Sequence, residues 1–121
     1  MSRRQFRFQD FEIWRRAAEV SALLFALADG LEGQRKFRFA EQLRAATLSI
    51  TNNIAEGSGS VSDADFAHFL NMSRRSVFEV ANMLLLFSRQ GYVKTDLVGP
   101  LLDKLEEQSR MTLAFMRNLK G

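Results

Sequence analysis

Three groups of side chains in this sequence of 121 residues have types and spacings that could carry chemistry. The first closes an amphipathic segment, Ser49-Ile50-Thr51-Asn52-Asn53-Ile54-Ala55-Glu56-Gly57. Asn53 falls in line with Ile50, Ala46, Leu43 and Phe39 at spacings of three and four, so its amide lies on an apolar seam. An amide there is costly unless hydrogen-bonded, and it fixes helix register. Glu56, in a last helical turn, opposes the helix dipole. Its expected partners are the free backbone amides that begin the next helix, with residues summing to about 119 side by side across a tight loop. Gln42, Ser49, Asn53 and Glu56 share one strip, and Glu79 on the facing helix is expected to pair with Arg38 or Arg44. Such a group locks a loop and a register; a ligand or catalytic role for Glu56 is the less favoured reading.

The second group is Asp65 and His68, the only histidine, at the i,i+3 spacing of di-iron bundles. Those sites need two such pairs and two further glutamates. One pair predicts no metal site. Cysteine is absent, which removes thiolate ligands and disulfides. No Ser–His–Asp or Cys–His set can be assembled, and Gly57-Ser58-Gly59 lacks the lysine and the strand of a phosphate loop. The chain is expected to be neither an enzyme nor a cofactor carrier.

The third group is basic. Arg3, Arg4 and Arg7 alternate with Phe6 and Phe8; Arg35, Lys36 and Arg38 alternate with Phe37 and Phe39. Cations beside aromatics suit a phosphate backbone with stacking bases. The competing reading is solvated charge with aromatic rings turned into the core. A net charge of +3 and a pI of 9.8 are compatible with either.

These groups must be positioned by helices. One proline, seven glycines and eleven phenylalanines in a chain rich in Leu and Ala favour a helical domain with its own core. Helix one is expected from Asp10, its cap, to Asp29 before Gly30. Helix two should span Lys36 to Glu56, with Gly57 just past its end. Helix three starts after the cap Ser62, with Asp65 in its first turn, and runs to Gln90 before Gly91. Helix four begins between Thr95 and Pro100 and ends near Leu119; Pro100 argues for a late or broken start. Short connections predict an all-α, antiparallel up-down-up-down four-helix bundle over residues 1–121, with 1–9 as a basic arm.

Helix one carries two apolar seams. Phe11, Trp14, Ala18, Ser21, Phe25 and Ala28 make the first; Ile13, Ala17, Val20, Leu24, Leu27 and Leu31 make the second. Together they cover about half the wheel at about 100° per residue. That width predicts self-association, with Ile13, Val20, Leu24 and Leu27 at the interface between copies. The longest apolar run near the start, Ala22 to Ala28, is flanked by charge and falls short of the roughly 18 residues of a membrane span. A cytoplasmic location, with no membrane partner, is expected.

Phe11 and Trp14, Gln42-Leu43-Arg44, Ser49-Ile50, Asn53-Ile54-Ala55-Glu56-Gly57, Phe66, Phe69-Leu70, Ser76 and Glu79 together resemble a known family. It is the four-helix-bundle proteins encoded by intervening sequences of bacterial 23S ribosomal RNA genes. The resemblance runs from about Phe8 to Tyr92 and implies a left-handed up-down bundle assembled as a ring of five. In that family Ser49, Asn53, Glu56, Gly57, Ser76 and Glu79 form a motif of structural character. A related branch, the accessory proteins of diversity-generating retroelements, associates with nucleic acid and a reverse transcriptase through a basic pentameric surface. The chain departs from the pattern at Ala45, where a second arginine is usual, and at Arg75, where a small residue is usual. Arg35 and Arg38 stand where an acidic and a small residue are expected, which moves positive charge towards residue 38. The expectation is a non-enzymatic homopentamer whose basic surface, Arg3, Arg4, Arg7, Arg35, Lys36 and Arg38, binds RNA or DNA with low specificity. The alternative is a scaffold for a protein partner such as a polymerase or reverse transcriptase.

Overall fold

The structure, a computed structural model, describes residues 4–119. A short 3-10 turn, Arg7–Asp10, leads into α1 (Glu12–Gly33), followed by α2 (Phe37–Ser58), α3 (Asp63–Arg89) and α4 (Thr95–Arg117). α1 packs on α2 and α4, and α3 packs on α2 and α4, which closes an antiparallel four-helix bundle. The all-α expectation holds, and the helix ends differ from it in instructive ways.

Asp10 does not cap α1: it ends the 3-10 turn, and Phe11 holds the N-cap position. Nor does α1 stop at Asp29. It runs through Gly30 and Gly33 and closes where the Lys36 N–H donates to the Leu31 carbonyl at 2.9 Å and Arg35 N–H to the Glu32 carbonyl at 2.9 Å. That pair of bonds is a Schellman closure, and Arg35 takes its left-handed position with φ 64°. α3 closes the same way, Tyr92 N–H to Phe87 carbonyl at 2.8 Å, with Gly91 at φ 75°. Ser62 caps α3 as expected, its Oγ accepting the Asp65 N–H at 3.1 Å. α4 begins at Thr95 and simply carries Gly99 and Pro100 in its second turn.

The wide apolar face of α1 is resolved differently from the sequence expectation. Ile13, Ala17, Val20, Leu24 and Leu31 are the buried seam, facing α2 and α4 within the same chain. Ile13, Val20 and Leu24 therefore have no surface left for another copy, and only Leu27 remains half-exposed. The other seam is the flank, with Trp14, Ala18 and Phe25 half-buried and Ser21 and Ala28 buried. Periodicity gave both seams and could not rank them.

Two of the buried polar side chains bear directly on stability. Gln108 on α4 donates from Nε2 to the Ile13 carbonyl at 2.8 Å, tying α4 to the first turn of α1. Thr47 Oγ1 is buried and, among the described residues, has no hydrogen-bond partner. An orphan hydroxyl costs roughly 1–3 kcal/mol of desolvation. Thr47→Val keeps the shape and removes the hydroxyl, so thermal and urea melts should show a gain of about 1 kcal/mol. A loss of stability would mean that the hydroxyl is satisfied after all.

α2 also runs two residues past Glu56, so Gly57 lies inside the helix and is buried. The α2–α3 register shifts with it. Ser73 Oγ donates to the Ile50 carbonyl at 2.8 Å and Ser76 Oγ to Ser49 Oγ at 2.8 Å, pairing residues whose numbers sum well above 119. A Cβ on Gly57 would stand 2.7 Å from Phe69 Cβ and 2.9 Å from Phe66 Cδ1. Its role is close approach between α2 and α3.

Candidate nucleic-acid interface

The antiparallel path brings the α1–α2 turn and the α3–α4 turn to one end of the bundle. Gln34 Nε2 donates to the Tyr92 carbonyl at 2.9 Å, and Lys36 Nζ lies 4.0 Å from the centre of the Tyr92 ring. Behind them Phe39 packs against Phe87 and Tyr92, with centroids 5.3 and 5.9 Å apart. The two turns are thus one stitched surface. It carries Arg35, Lys36 and Arg38 from one turn and Arg89 and Lys94 from the other. Among the described residues none of these five makes an ion pair; those found involve Arg4, Arg16, Arg44 and Arg110. Of the neighbouring acids, Asp29 and Glu32 are engaged by Arg44, at 2.6 and 2.7 Å, while Glu41 and Asp96 are exposed and make no ion pair among the described residues. Those bonds raise the Arg44 pKa further, so it stays cationic, but its charge is matched locally.

Phe37 lies at this end of the bundle. It is 57% exposed, on the first turn of α2, while Phe39 two residues on is held by the aromatic cluster. The competing reading of the sequence, rings turned into the core, therefore fails for Phe37 and is met only in part by Phe39, which packs on two rings yet stays 37% exposed. Arg35 adds a second observation. Its left-handed backbone favours glycine by roughly 1 kcal/mol, and the equivalent position of the α3–α4 turn is Gly91.

The other arginine cluster lies at the opposite end, a helix length of ~33 Å away. Arg3 lies outside the described residues. Arg4 pairs with Asp10 at 2.7 Å. Arg7 Nε donates to the Ser58 carbonyl at the end of α2 at 2.9 Å, and its guanidinium lies 5.2 Å from the centre of the Phe66 ring. Arg4 and Arg7 are engaged in holding the arm down. One chain does not unite the two clusters, and the arm contributes less free charge than the sequence implies.

A family model described as 23S rRNA-intervening sequence protein matches residues 9–114. The chain belongs to that family. A crystal structure of a protein of unknown function from the S23 ribosomal protein family of Bacteroides thetaiotaomicron VPI-5482 is similar in fold. The TM-score is 0.82 at 21% identity, over 88% of this chain and 99% of that one. No curated protein matches.

Three of the motif residues, Ser49, Asn53 and Ser76, make a polar node between α2 and α3. Asn53 is buried and donates from Nδ2 to the Ser49 carbonyl at 2.8 Å and to Ser49 Oγ at 2.9 Å; Ser76 closes on the same hydroxyl. Both Asn53 bonds stay within α2, and the link across to α3 is made by Ser76 on Ser49. Glu56 behaves otherwise. It is exposed, its carboxylate makes no hydrogen bond among the described residues, and four of the amides in that stretch have other acceptors: Gly59 N–H the Glu56 carbonyl, Ser60 N–H Gly57, Asp65 N–H and Phe66 N–H Ser62. The two extra residues of α2 carry Glu56 past the start of α3. Glu79 likewise lies away from Arg38 and Arg44, on an open trough with Gln42, Ala45, Ala46 and Ser49. Asp65 and His68 are both exposed, and among the described residues no cluster of three His, Cys, Asp or Glu could hold a metal ion. No helix among them is long and apolar enough to cross a membrane.

Arg89 and Lys94 escaped the sequence reading. Neither stands in a basic run, and only the bundle's topology sets them beside Arg35 to Arg38. The available signal was the pairing of helix ends: each turn of an up-down bundle shares its end with the turn two helices away.

Proposed function

We propose that this chain is a non-enzymatic, homo-oligomeric helical bundle, a ring of five, that binds RNA or DNA through its basic end with little sequence preference. The observation that carries the reading is that Arg35, Lys36, Arg38, Arg89 and Lys94, free of ion pairs among the described residues, share one end of the bundle, which also exposes Phe37. Phosphate contacts of this kind give affinity without base readout. The ring rests on the family resemblance, and on apolar surface that survives folding. One groove between α1 and α4 is lined by Leu23, Ala26, Leu27, Leu97 and Pro100, and Leu23 and Leu97 are about half exposed. Contiguous grooves of this sort, unlike scattered leucines, mark association surfaces. A ring repeats each basic end and multiplies its field. A chain without cysteine also needs no oxidising compartment, in keeping with a cytoplasmic site of action.

Binding of labelled oligonucleotides across a salt series is the test, with light scattering on the same sample. Micromolar or tighter binding at low salt, falling steeply as salt rises, is expected from a multimer. Absence of binding at low salt, or affinity that ignores salt, discards the nucleic-acid reading. A protein partner that survives nuclease treatment would then favour the scaffold alternative. A monomer at micromolar concentration discards the ring.

A further inference from the structure

The nucleic-acid reading does not say which form of nucleic acid the basic end takes, and Phe37 narrows it. We infer that the ligand is single-stranded and that one unpaired base stacks on the exposed Phe37 ring while the neighbouring Arg35, Lys36 and Arg38 hold the flanking phosphates and Arg89 and Lys94, at the same end, add to the field. This rests on the proposal of the previous subsection and goes one step beyond it.

The ring is fixed where a stacking platform must be. Phe37 begins α2 directly after the Schellman closure, with Lys36 N–H bonded to the Leu31 carbonyl at 2.9 Å and the Lys36 carbonyl accepting the Ala40 N–H at 3.0 Å. Lys36 is held in turn against Tyr92. Phe37 is thus a ring on a rigid turn, 57% exposed, with a cation on each side in sequence. Phe39, two positions further along, packs on Phe87 and Tyr92 and is less exposed, at 37%, so Phe37 is the more open ring of the segment.

The geometry discriminates among ligands. In a duplex the base faces are buried against each other, and an exposed ring on a convex helix end has nothing to stack on. A single strand offers both base faces and a phosphate on either side, which is the combination of aromatic platform and cationic track at this end. A protein partner fits less well. Its contact needs a contiguous apolar centre with a polar rim, and that surface lies along the α2–α3 trough of Phe39, Met83 and Leu86 rather than at Phe37.

The test compares a 20-nucleotide oligo-dT or oligo-U with a 20-base-pair duplex, using full-length protein and the variants Phe37→Ala and Phe37→Trp. Phe37 faces solvent, so both variants should keep the helical circular dichroism and the assembly mass of the parent. The parent should bind the single strand more tightly than the duplex. Phe37→Ala should lose roughly tenfold in single-strand affinity, leave duplex affinity within about twofold and keep the salt slope. Phe37→Trp should restore the single-strand affinity.

Equal loss on both ligands, or no loss on either, overturns the stacking inference. If salt-dependent binding persists in that outcome, the broader nucleic-acid reading stands without it. No salt-dependent binding of either ligand by the parent overturns both. A changed assembly mass in Phe37→Ala would place Phe37 against another copy of the chain and overturn the inference as well.

Discussion

Gly57→Ala is expected to destabilise the bundle by about 2 kcal/mol, against the direction of helix propensity. Alanine is favoured over glycine in a helix interior by roughly 1 kcal/mol, and Gly57 is an interior helical residue. Packing reverses the sign. The added methyl would sit 2.7 Å from Phe69 Cβ and 2.9 Å from Phe66 Cδ1, both too close to keep. Phe69 Cβ is bound directly to the α3 backbone, so it retreats only if the helix does. The Phe66 ring is held too: its centroid lies 5.6 Å from that of Phe115 and 6.1 Å from that of Phe11, with Arg7 against it. Overpacking of a constrained core costs typically 1–3 kcal/mol and occasionally more. Forcing α2 from α3 here also strains the nearby Ser73–Ile50 and Ser76–Ser49 bonds. Urea melts of parent and variant read the effect. Gly59→Ala serves as the internal contrast: its nearest obstruction is a backbone oxygen at 3.4 Å, and it lies beyond the helix, so little change is expected. A stabilised Gly57→Ala would mean that the helices are not in this contact.

The same residue shows what the sequence could and could not reveal. The four helices were legible because the apolar spacings of α1, α2 and α3 are regular, and because Ser62 and Gly91 carry unambiguous end signals. Gly30, Gly57 and Pro100 were misleading. Each weakens a helix locally by an amount that tertiary packing outweighs, so the helices run through all three. Two residues of extra α2 then displaced the α2–α3 register, and with it the partners assigned to Glu56 and Glu79. The site divides along similar lines. Arg35, Lys36 and Arg38 are consecutive enough to be seen in the chain. Arg89 and Lys94 are visible only once the topology is known. The arm misled because Arg7 and Arg4 look free in a sequence, and nothing there indicates that the Ser58 carbonyl and Asp10 will take them up.

That division sets the largest expected effect on binding. The triple substitution Arg35→Glu, Arg38→Glu and Arg89→Glu should weaken oligonucleotide binding on the order of a hundredfold at low salt and flatten the salt slope by about three. All three side chains are exposed and, among the described residues, make no ion pair, so the loss should come from the ligand rather than from the fold. Arg89 closes the last turn of α3, where a cation favours the dipole, and reversing it should cost about 0.5 kcal/mol in a melt. The contrast is Arg4→Gln with Arg7→Gln at the opposite end. That pair should leave affinity within about threefold, because their charge is engaged by Asp10, the Ser58 carbonyl and the Phe66 face. It should lower stability by about 1 kcal/mol instead, through the lost bond and ring contact that hold the arm on α2 and α3. The two ends therefore respond in opposite currencies: binding lost without stability at one, stability lost without binding at the other. If the arm pair abolishes binding and the triple variant retains it, the ligand sits at the arm and the surface around Phe37 is solvated charge. Fluorescence anisotropy at three salt concentrations, with a thermal melt of each variant, separates these cases on one set of proteins.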